Sequence, residues 1–225
     1  MIPPGSTRPV RGAVFDLDGT LVDRLADVAA ALSNAFEAAG LPRVNPEQVE
    51  PAMGHWALDL VTAVAATVDP ARVSDEAFVR ELCAAYQQHY AAQPAALTTV
   101  LADGSTALPA LRKSGLLVGV CTNKSTHLAE EVLRAVGLGD TVEVVLGRDA
   151  VAHPKPDPSH LLEVLDKPGL APEETVYVGD NPIDLDLATG AGVRYRHMAW
   201  GVPVDDGVAL LSRFDDLIPP LSKEH

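Results

Sequence analysis

Hydrophobic positions along the chain follow two patterns, and the change between them divides the sequence into two kinds of structure. The first apolar run of strand length is followed by helical spacing alone. From residue 100 onwards, apolar runs of strand length recur between segments of helical spacing. This alternation predicts strands at 12–16, 116–121, 142–146, 176–178 and 193–199, with helices at 104–114, 125–136, 161–165 and 183–191. Strands that alternate with helices are typical of the α/β class, so we expect a doubly wound parallel sheet.

The segment between the first strand and residue 100 has only helical periodicity. It predicts helices at 25–39 and 57–68, a helix start at Asn45-Pro46, and another helix that opens at Ser74. We therefore expect an inserted all-α cap domain. The predicted domains are an α/β core at 10–22 and 96–218, a helical cap at 23–95, and tails at 1–9 and 219–225.

Composition and charge narrow the possible partners. The chain has 225 residues, of which 47% are hydrophobic, and this is enough for a substantial core. No apolar run approaches the length of a membrane span, and the polar, proline-rich segment 1–11 has no apolar signal-peptide stretch, so a cytoplasmic protein is expected. The formal net charge of -14 argues against nucleic acid and membrane surfaces as partners. Cys83 and Cys121 lie in apolar runs and are expected to be buried thiols rather than a disulfide.

Polar residues that are suited to catalysis follow the predicted strands. The first strand ends in Asp16-Leu-Asp18-Gly-Thr, where two carboxylates are separated by one residue. The carboxyl ends of parallel strands share one edge of the sheet, so residues far apart in sequence converge there. The candidates at strand ends and in the proline-rich loop 153–158 are Asp16, Asp18, Thr122, Asn123, Lys155, Asp180 and Asp184.

In this order the motifs resemble those of the haloacid dehalogenase superfamily, on its phosphatase side. The resemblance covers roughly residues 12–215, and the helical insert is similar to the family's α-helical cap. The runs Thr122-Asn123-Lys124 and Lys155-Pro156-Asp157-Pro158 look most like the phosphoglycolate phosphatase-like group.

The resemblance assigns a role to each residue in phosphoryl transfer through an aspartyl-phosphate. It implies that Asp16 is the nucleophile and that Asp18 is first general acid and then general base. It implies that Thr122, together with the backbone N–H of Asn123, binds the phosphoryl oxygens. Lys155 would contribute positive charge to those oxygens and to Asp16.

The charges in such a site point to a metal cofactor. Four carboxylates would face one lysine, so a phosphate dianion would meet repulsions of about 4 kcal/mol per charge pair at about 4 Å. A hard divalent cation relieves this repulsion, and Mg²⁺ is the usual one beside phosphate. By resemblance, its ligands are the carboxylates of Asp16 and Asp180 and the backbone carbonyl of Asp18. Asp184 is either a further ligand or an outer partner.

The substrate is expected to be a small phosphorylated metabolite whose identity the sequence leaves open. Arg24, at the start of the cap, and His55, in Met53-Gly54-His55-Trp56, are candidates to bind a second anionic group of the substrate. Monomer and homodimer both remain possible.

Several other functions are compatible with part of this pattern. A phosphotransferase resembling β-phosphoglucomutase, a pyrophosphatase and a nucleotidase would share the fold. Dehalogenation is disfavoured by the presence of Asp18 and Asp180, because the family's dehalogenases lack the second Asp of the first motif and need no metal. A non-catalytic receiver-like module is disfavoured by the helical insert, and a dinucleotide-binding domain by the lack of Gly-x-Gly-x-x-Gly after the first strand.

Overall fold

A computed structural model describes residues 9–54 and 56–217 of the chain. The strands are β1 (Gly12–Phe15), β2 (Val22–Asp23), β3 (Thr99–Val100), β4 (Leu117–Thr122), β5 (Val144–Gly147), β6 (Thr175–Gly179), β7 (Arg194–Met198) and β8 (Leu210–Leu211). The helices are α1 (Leu25–Ala38), α2 (Pro46–Val49), α3 (Ala57–Val68), α4 (Glu76–Ala92), α5 (Gly104–Lys113), α6 (Thr126–Ala135), α7 (Pro158–Asp166) and α8 (Pro182–Gly190). Within these residues, no helix combines the length and the apolar character that crossing a bilayer requires.

The chain forms two compact units, one of which is interrupted in sequence by the other. The first comprises the segment up to Val22 and the segment from Val100 onwards, and the second comprises Asp23–Thr99. The first unit contains a six-stranded sheet in the order β5-β4-β1-β6-β7-β8, with every neighbouring pair parallel. The predicted parallel α/β fold is therefore confirmed.

Strand β1 lies inside the sheet, between β4 and β6. All four of its residues are buried, and successive side chains point to opposite faces. Val14 packs with Leu161 of α7 and Leu187 of α8 on one face, whereas Phe15 meets Phe214 edge-on at 5.8 Å. β1 is thus covered on both faces and paired on both edges. The polar residues that follow it, beginning with Asp16, lie at its carboxyl end.

The second unit is built on helices α1, α3 and α4. Their apolar faces form one core that includes Leu32, Phe36, Leu60, Leu82 and Tyr86. Helix α2 begins as predicted, because Asn45 and Gln48 cap it reciprocally.

Residues 96–99 group with the helical unit, although the sequence places the return to the α/β core at residue 96. The cause is the buried carboxylate of Asp27 on α1. It accepts hydrogen bonds from the backbone N–H of Leu97 at 2.9 Å and from the hydroxyl of Thr98 at 2.6 Å. These bonds hold the returning chain against α1.

Three short strands were not predicted, and one of them, β8, follows the strand predicted at 193–199. Strands β2, β3 and β8 have two residues each, which is too short to show an alternating pattern. Both cysteines are buried and unbonded to each other, so that prediction is confirmed.

Candidate active site

Three neighbouring strands bring the predicted site residues together. Asp16 directly follows β1, Thr122 is the last residue of β4, and Asp180 directly follows β6. Since β1 pairs with both β4 and β6 in parallel, the three positions lie at the same edge of the sheet. Such an edge, where the chain departs to either side of a central strand, is the usual ligand site of open α/β sheets.

Lys155 is the buried cation at the centre of this group. Its Nζ lies 2.9 Å from Oδ1 of Asp16 and 2.8 Å from Oδ1 of Asp184, and its side chain is 2% exposed. Burial alone would lower the pKa of Lys155, but the charges of Asp16 and Asp184 outweigh it and raise that pKa above its usual value. Lys155 is therefore held in its charged form between two carboxylates.

Two carboxyl groups of the site, those of Asp16 and Asp180, have raised pKa values. Burial raises the pKa of Asp16 to about 7, against the opposing effect of Lys155, and the charges of Asp184 and Asp180 add to the rise. Burial likewise raises the pKa of Asp180 to about 6. Oxygens of Asp16, Asp180 and Asp184 all lie within 4.8 Å of one another. A compact set of carboxylate oxygens is suited to a hard divalent cation.

Asp184 is engaged on both of its carboxylate oxygens. Oδ1 accepts from Lys155 and from the hydroxyl of Tyr177 at 2.9 Å. Oδ2 accepts from the backbone N–H groups of Asp180 and Asn181 at 3.3 and 3.2 Å. This pattern favours the outer-partner interpretation of Asp184, in which the residue fixes Lys155 and the loop of Asp180.

Tyr177 is a buried polar residue that the sequence reasoning did not include. Its hydroxyl lies 3.2 Å from Nζ of Lys155 and 3.2 Å from the backbone carbonyl of Cys121, in addition to its contact with Asp184. Burial, reinforced by the charge of Asp184, raises the pKa of Tyr177 well above its usual value, so the hydroxyl keeps its proton. Within a strand of apolar residues, a tyrosine has the same pattern as any core residue.

A second lysine lies in the site, so the expected count of one lysine against four carboxylates is wrong. Nζ of Lys124 is 3.0 Å from Oδ2 of Asp18, and the Lys124 side chain is 6% exposed. Lys124 follows β4 by two residues, in the Thr-Asn-Lys run that carried the resemblance. The sequence signal that pointed to it was its position just after a strand end, beside the candidate site residues Thr122 and Asn123.

Thr122 and Asn123 connect the loops around the site. The buried Thr122 hydroxyl oxygen accepts from the backbone N–H of Lys124 at 3.2 Å. The Asn123 side-chain amide donates to the backbone carbonyl of Lys155 at 3.2 Å, which ties the loop after β4 to the loop of Lys155. The side chain of Asn123 thus has a structural contact, and the predicted phosphoryl contact concerns its backbone N–H.

The Asp-Gly-Thr run has a steric and a polar requirement. Gly19 has a φ of +86°, and a Cβ there would collide with the carboxylate of Asp180. The next residue, Thr20, is buried, and its hydroxyl donates to Oδ1 of Asp180 at 2.6 Å. The turn after Asp18 is therefore shaped to accept Asp180 against its backbone.

The two specificity candidates belong to the helical segment. Arg24 is half-buried and occupies the N-cap position of α1, where its side chain makes no capping hydrogen bond. His55 lies outside the described residues. Their role in selecting the leaving group stays a prediction.

Sequence comparison decides the family. Residues 13–197 match the haloacid dehalogenase-like hydrolases. The chain belongs to this family. It is 33% identical over 210 residues to a phosphoglycolate phosphatase of Rhodospirillum rubrum, with 92% of this chain and 87% of the relative covered. It is 31% identical over 237 residues to a phosphoglycolate phosphatase of Salmonella typhimurium, with 96% and 94% covered.

Solved structures agree on the fold of this hydrolase. The crystal structure of a predicted phosphoglycolate phosphatase from Haemophilus somnus superposes with a TM-score of 0.79 at 24% identity, over 94% of this chain and 98% of that one. A superfamily hydrolase from Geobacter sulfurreducens gives a TM-score of 0.73 at 25% identity, over 93% and 95%.

Proposed function

We propose that this hydrolase is a Mg²⁺-dependent phosphatase that cleaves a small phosphomonoester through a phosphorylated Asp16. The observation that carries the proposal is the buried Lys155, whose ammonium lies 2.9 Å from Asp16 beside Asp180 and Asp184. A carboxylate fixed at a strand end by one cation has a defined orientation, as a nucleophile requires.

In the first half-reaction, Asp16 attacks phosphorus. A bond forms between one of its carboxylate oxygens and phosphorus while the bond from phosphorus to the leaving oxygen breaks. Asp18, two residues away, gives its proton to the leaving oxygen. Thr122 and the backbone N–H of Asn123 donate to the phosphoryl oxygens, and Lys155 adds positive charge beside them.

In the second half-reaction, water attacks the same phosphorus. Asp18 now takes a proton from the water, the Asp16–phosphorus bond breaks, and inorganic phosphate leaves. In the structure, Nζ of Lys124 lies 3.0 Å from Oδ2 of Asp18. Breaking and remaking that contact would accompany each turnover.

Asp16, Asp180 and the backbone carbonyl of Asp18 would hold the metal, and Asp184 would orient them. When bound, Mg²⁺ supplies positive charge that reduces the repulsion between the carboxylates and the phosphoryl oxygens. The oxygens of Asp16, Asp180 and Asp184, which lie within 4.8 Å of one another, support this assignment.

Phosphoglycolate is the first substrate to test, because the curated relatives at 33% and 31% identity are phosphoglycolate phosphatases. Phosphoglycolate carries a carboxylate as well as a phosphate. Arg24 and His55 are the proposed partners for this second anionic group, and an arginine can bind a carboxylate through two parallel hydrogen bonds.

The test compares Asp16→Asn with Asp186→Asn, an exposed carboxylate on α8 that serves as a matched control. Released phosphate is measured from phosphoglycolate and from p-nitrophenyl phosphate, with Mg²⁺ and after chelation. Asp16→Asn and chelation should each reduce hydrolysis to background, whereas Asp186→Asn should retain full activity. Turnover by a deamidation-free Asp16→Asn enzyme would refute the nucleophile. Transfer of the phosphoryl group to an added sugar, without release of phosphate, would point to a phosphotransferase.

A further inference from the structure

The segment that follows β7, residues 199–202, contacts both acidic loops of the site. The indole N–H of Trp200 donates to the backbone carbonyl of Gly19 at 2.9 Å. The backbone N–H of Val202 donates to the backbone carbonyl of Asp180 at 2.7 Å. Gly19 directly follows Asp18, so this short segment links the loop after β1 to the loop after β6.

Buried polar groups support the segment from the sheet side. The ring of His197 contacts the carbonyl of Val202 through Nε2 at 2.8 Å and the hydroxyl of Tyr195 through Nδ1 at 2.8 Å. A carbonyl only accepts, so Nε2 donates to the carbonyl of Val202. Both side chains are buried, which gives the carbonyl of Val202 a fixed anchor.

Close packing of Trp200 and Gly201 also restricts the position of residues 199–202. The ring of Trp200 meets the ring of Phe214 edge-on, with centroids 6.1 Å apart, and Phe214 is fully buried. Gly201 passes so close to Asp180 that a Cβ would collide with the Asp180 backbone carbonyl. Trp200 is nevertheless 40% exposed, so this packing covers only part of its side chain.

We propose that Trp200 is a positioning residue, which sets the loop after Asp18 relative to Asp180 and thereby raises the affinity of the site for its divalent cation. This inference rests on the metal site of the proposed function. Two of the proposed ligand groups, the Asp18 carbonyl and the Asp180 carboxylate, belong to the two loops that the segment joins. Groups that orient metal ligands without touching the metal commonly change metal affinity by about 10- to 100-fold when removed.

The test uses the full chain and measures Mg²⁺ binding directly. Trp200→Phe keeps an aromatic ring against Phe214 but removes the N–H donor to Gly19. Trp56→Phe, in the helical segment, is the matched control, and together these two positions are the only tryptophans of the chain. By calorimetry, the Mg²⁺ dissociation constant of Trp200→Phe should rise about 10-fold, whereas that of Trp56→Phe should match the unchanged chain.

A spectroscopic measurement keeps the inference testable if Trp200→Phe fails to fold. In Trp56→Phe, Trp200 is the sole tryptophan, and its emission should shift as Mg²⁺ is added, because its indole donates to the loop of the proposed ligands. An unchanged dissociation constant in a folded Trp200→Phe, or an emission that Mg²⁺ leaves unaltered, would overturn the positioning role. If the unchanged chain bound no Mg²⁺, the proposed metal site would be refuted, and the positioning role of Trp200 would be refuted with it.

Discussion

Binding of Mg²⁺ should release protons, and the amount should depend steeply on pH. The pKa of Asp16 is raised to about 7 and that of Asp180 to about 6, whereas a metal ligand must be ionised. At about pH 6.5 these carboxyls are about three-quarters and about one-quarter protonated, so binding should release about one proton. At about pH 8 the two fractions together fall to about one-tenth.

Calorimetry in buffers of different ionisation enthalpy measures this number directly. The slope of observed enthalpy against buffer enthalpy gives the protons released per Mg²⁺. Asp16→Asn removes the group with the higher pKa, so its proton release at about pH 6.5 should fall well below that of the unchanged chain, if it still binds metal. Asp186→Asn, with an exposed carboxyl on the same helix as Asp184, should behave like the unchanged chain.

The same pKa values fix the sign of the stability change. Between about pH 4 and pH 7 the metal-free folded chain binds more protons at Asp16 than the unfolded chain does, so the contribution of Asp16 to stability falls as pH rises. Mg²⁺ favours the ionised form, and its stabilising effect on Tm should therefore be larger at about pH 8 than at about pH 6. Binding without proton release at about pH 6.5 would refute the reasoning, since it would mean that these carboxyls are already ionised or are not the ligands.

Two further predictions concern single side chains. Tyr177→Phe removes a buried donor to a carboxylate and should lower the free energy of unfolding by about 2 kcal/mol. Chemical denaturation tests this against Tyr195→Phe, whose hydroxyl contacts His197 instead. Equal losses in the two variants would contradict an additional loss from leaving the Asp184 carboxylate without this donor. Arg24→Ala and His55→Ala should each lower kcat/KM for phosphoglycolate by about 10-fold, the size of one charge-assisted contact, and should spare p-nitrophenyl phosphate hydrolysis; equal losses on both substrates would assign these residues to folding or closure.

The parallel sheet and the meeting of Asp16, Thr122 and Asp180 could be predicted because both follow from strand order. Residues that follow parallel strands all lie at the carboxyl edge of the sheet. Which of them are neighbours is therefore known once the strand order is known. Lys155 lies in a loop and was placed by resemblance rather than by periodicity. The structure gives the reason for its proximity, since the carboxylates of Asp16 and Asp184 hold its ammonium.

What sequence reasoning missed are groups whose function depends on direction rather than on residue type. Tyr177 lies in a buried strand, and only coordinates reveal that its hydroxyl faces Asp184. Lys124 directly follows the candidates Thr122 and Asn123, yet in a sequence a lysine on the surface cannot be distinguished from a lysine in a site. Its contact with Asp18 became visible only with the fold.

The segment after β7 was overlooked for a related reason. Its hydrogen bonds to the two loops involve mostly backbone groups. The acceptors are the carbonyls of Gly19 and Asp180, and one of the two donors is the N–H of Val202. Backbone groups occur at every position and leave no mark in a sequence. The sparse sequence signal was Trp200-Gly201, an aromatic donor followed by a residue without a Cβ, where the chain approaches Asp180 too closely for any side chain. A site whose acidic ligands sit on separate loops needs such a link, because carboxylates that repel one another will not hold their spacing unaided.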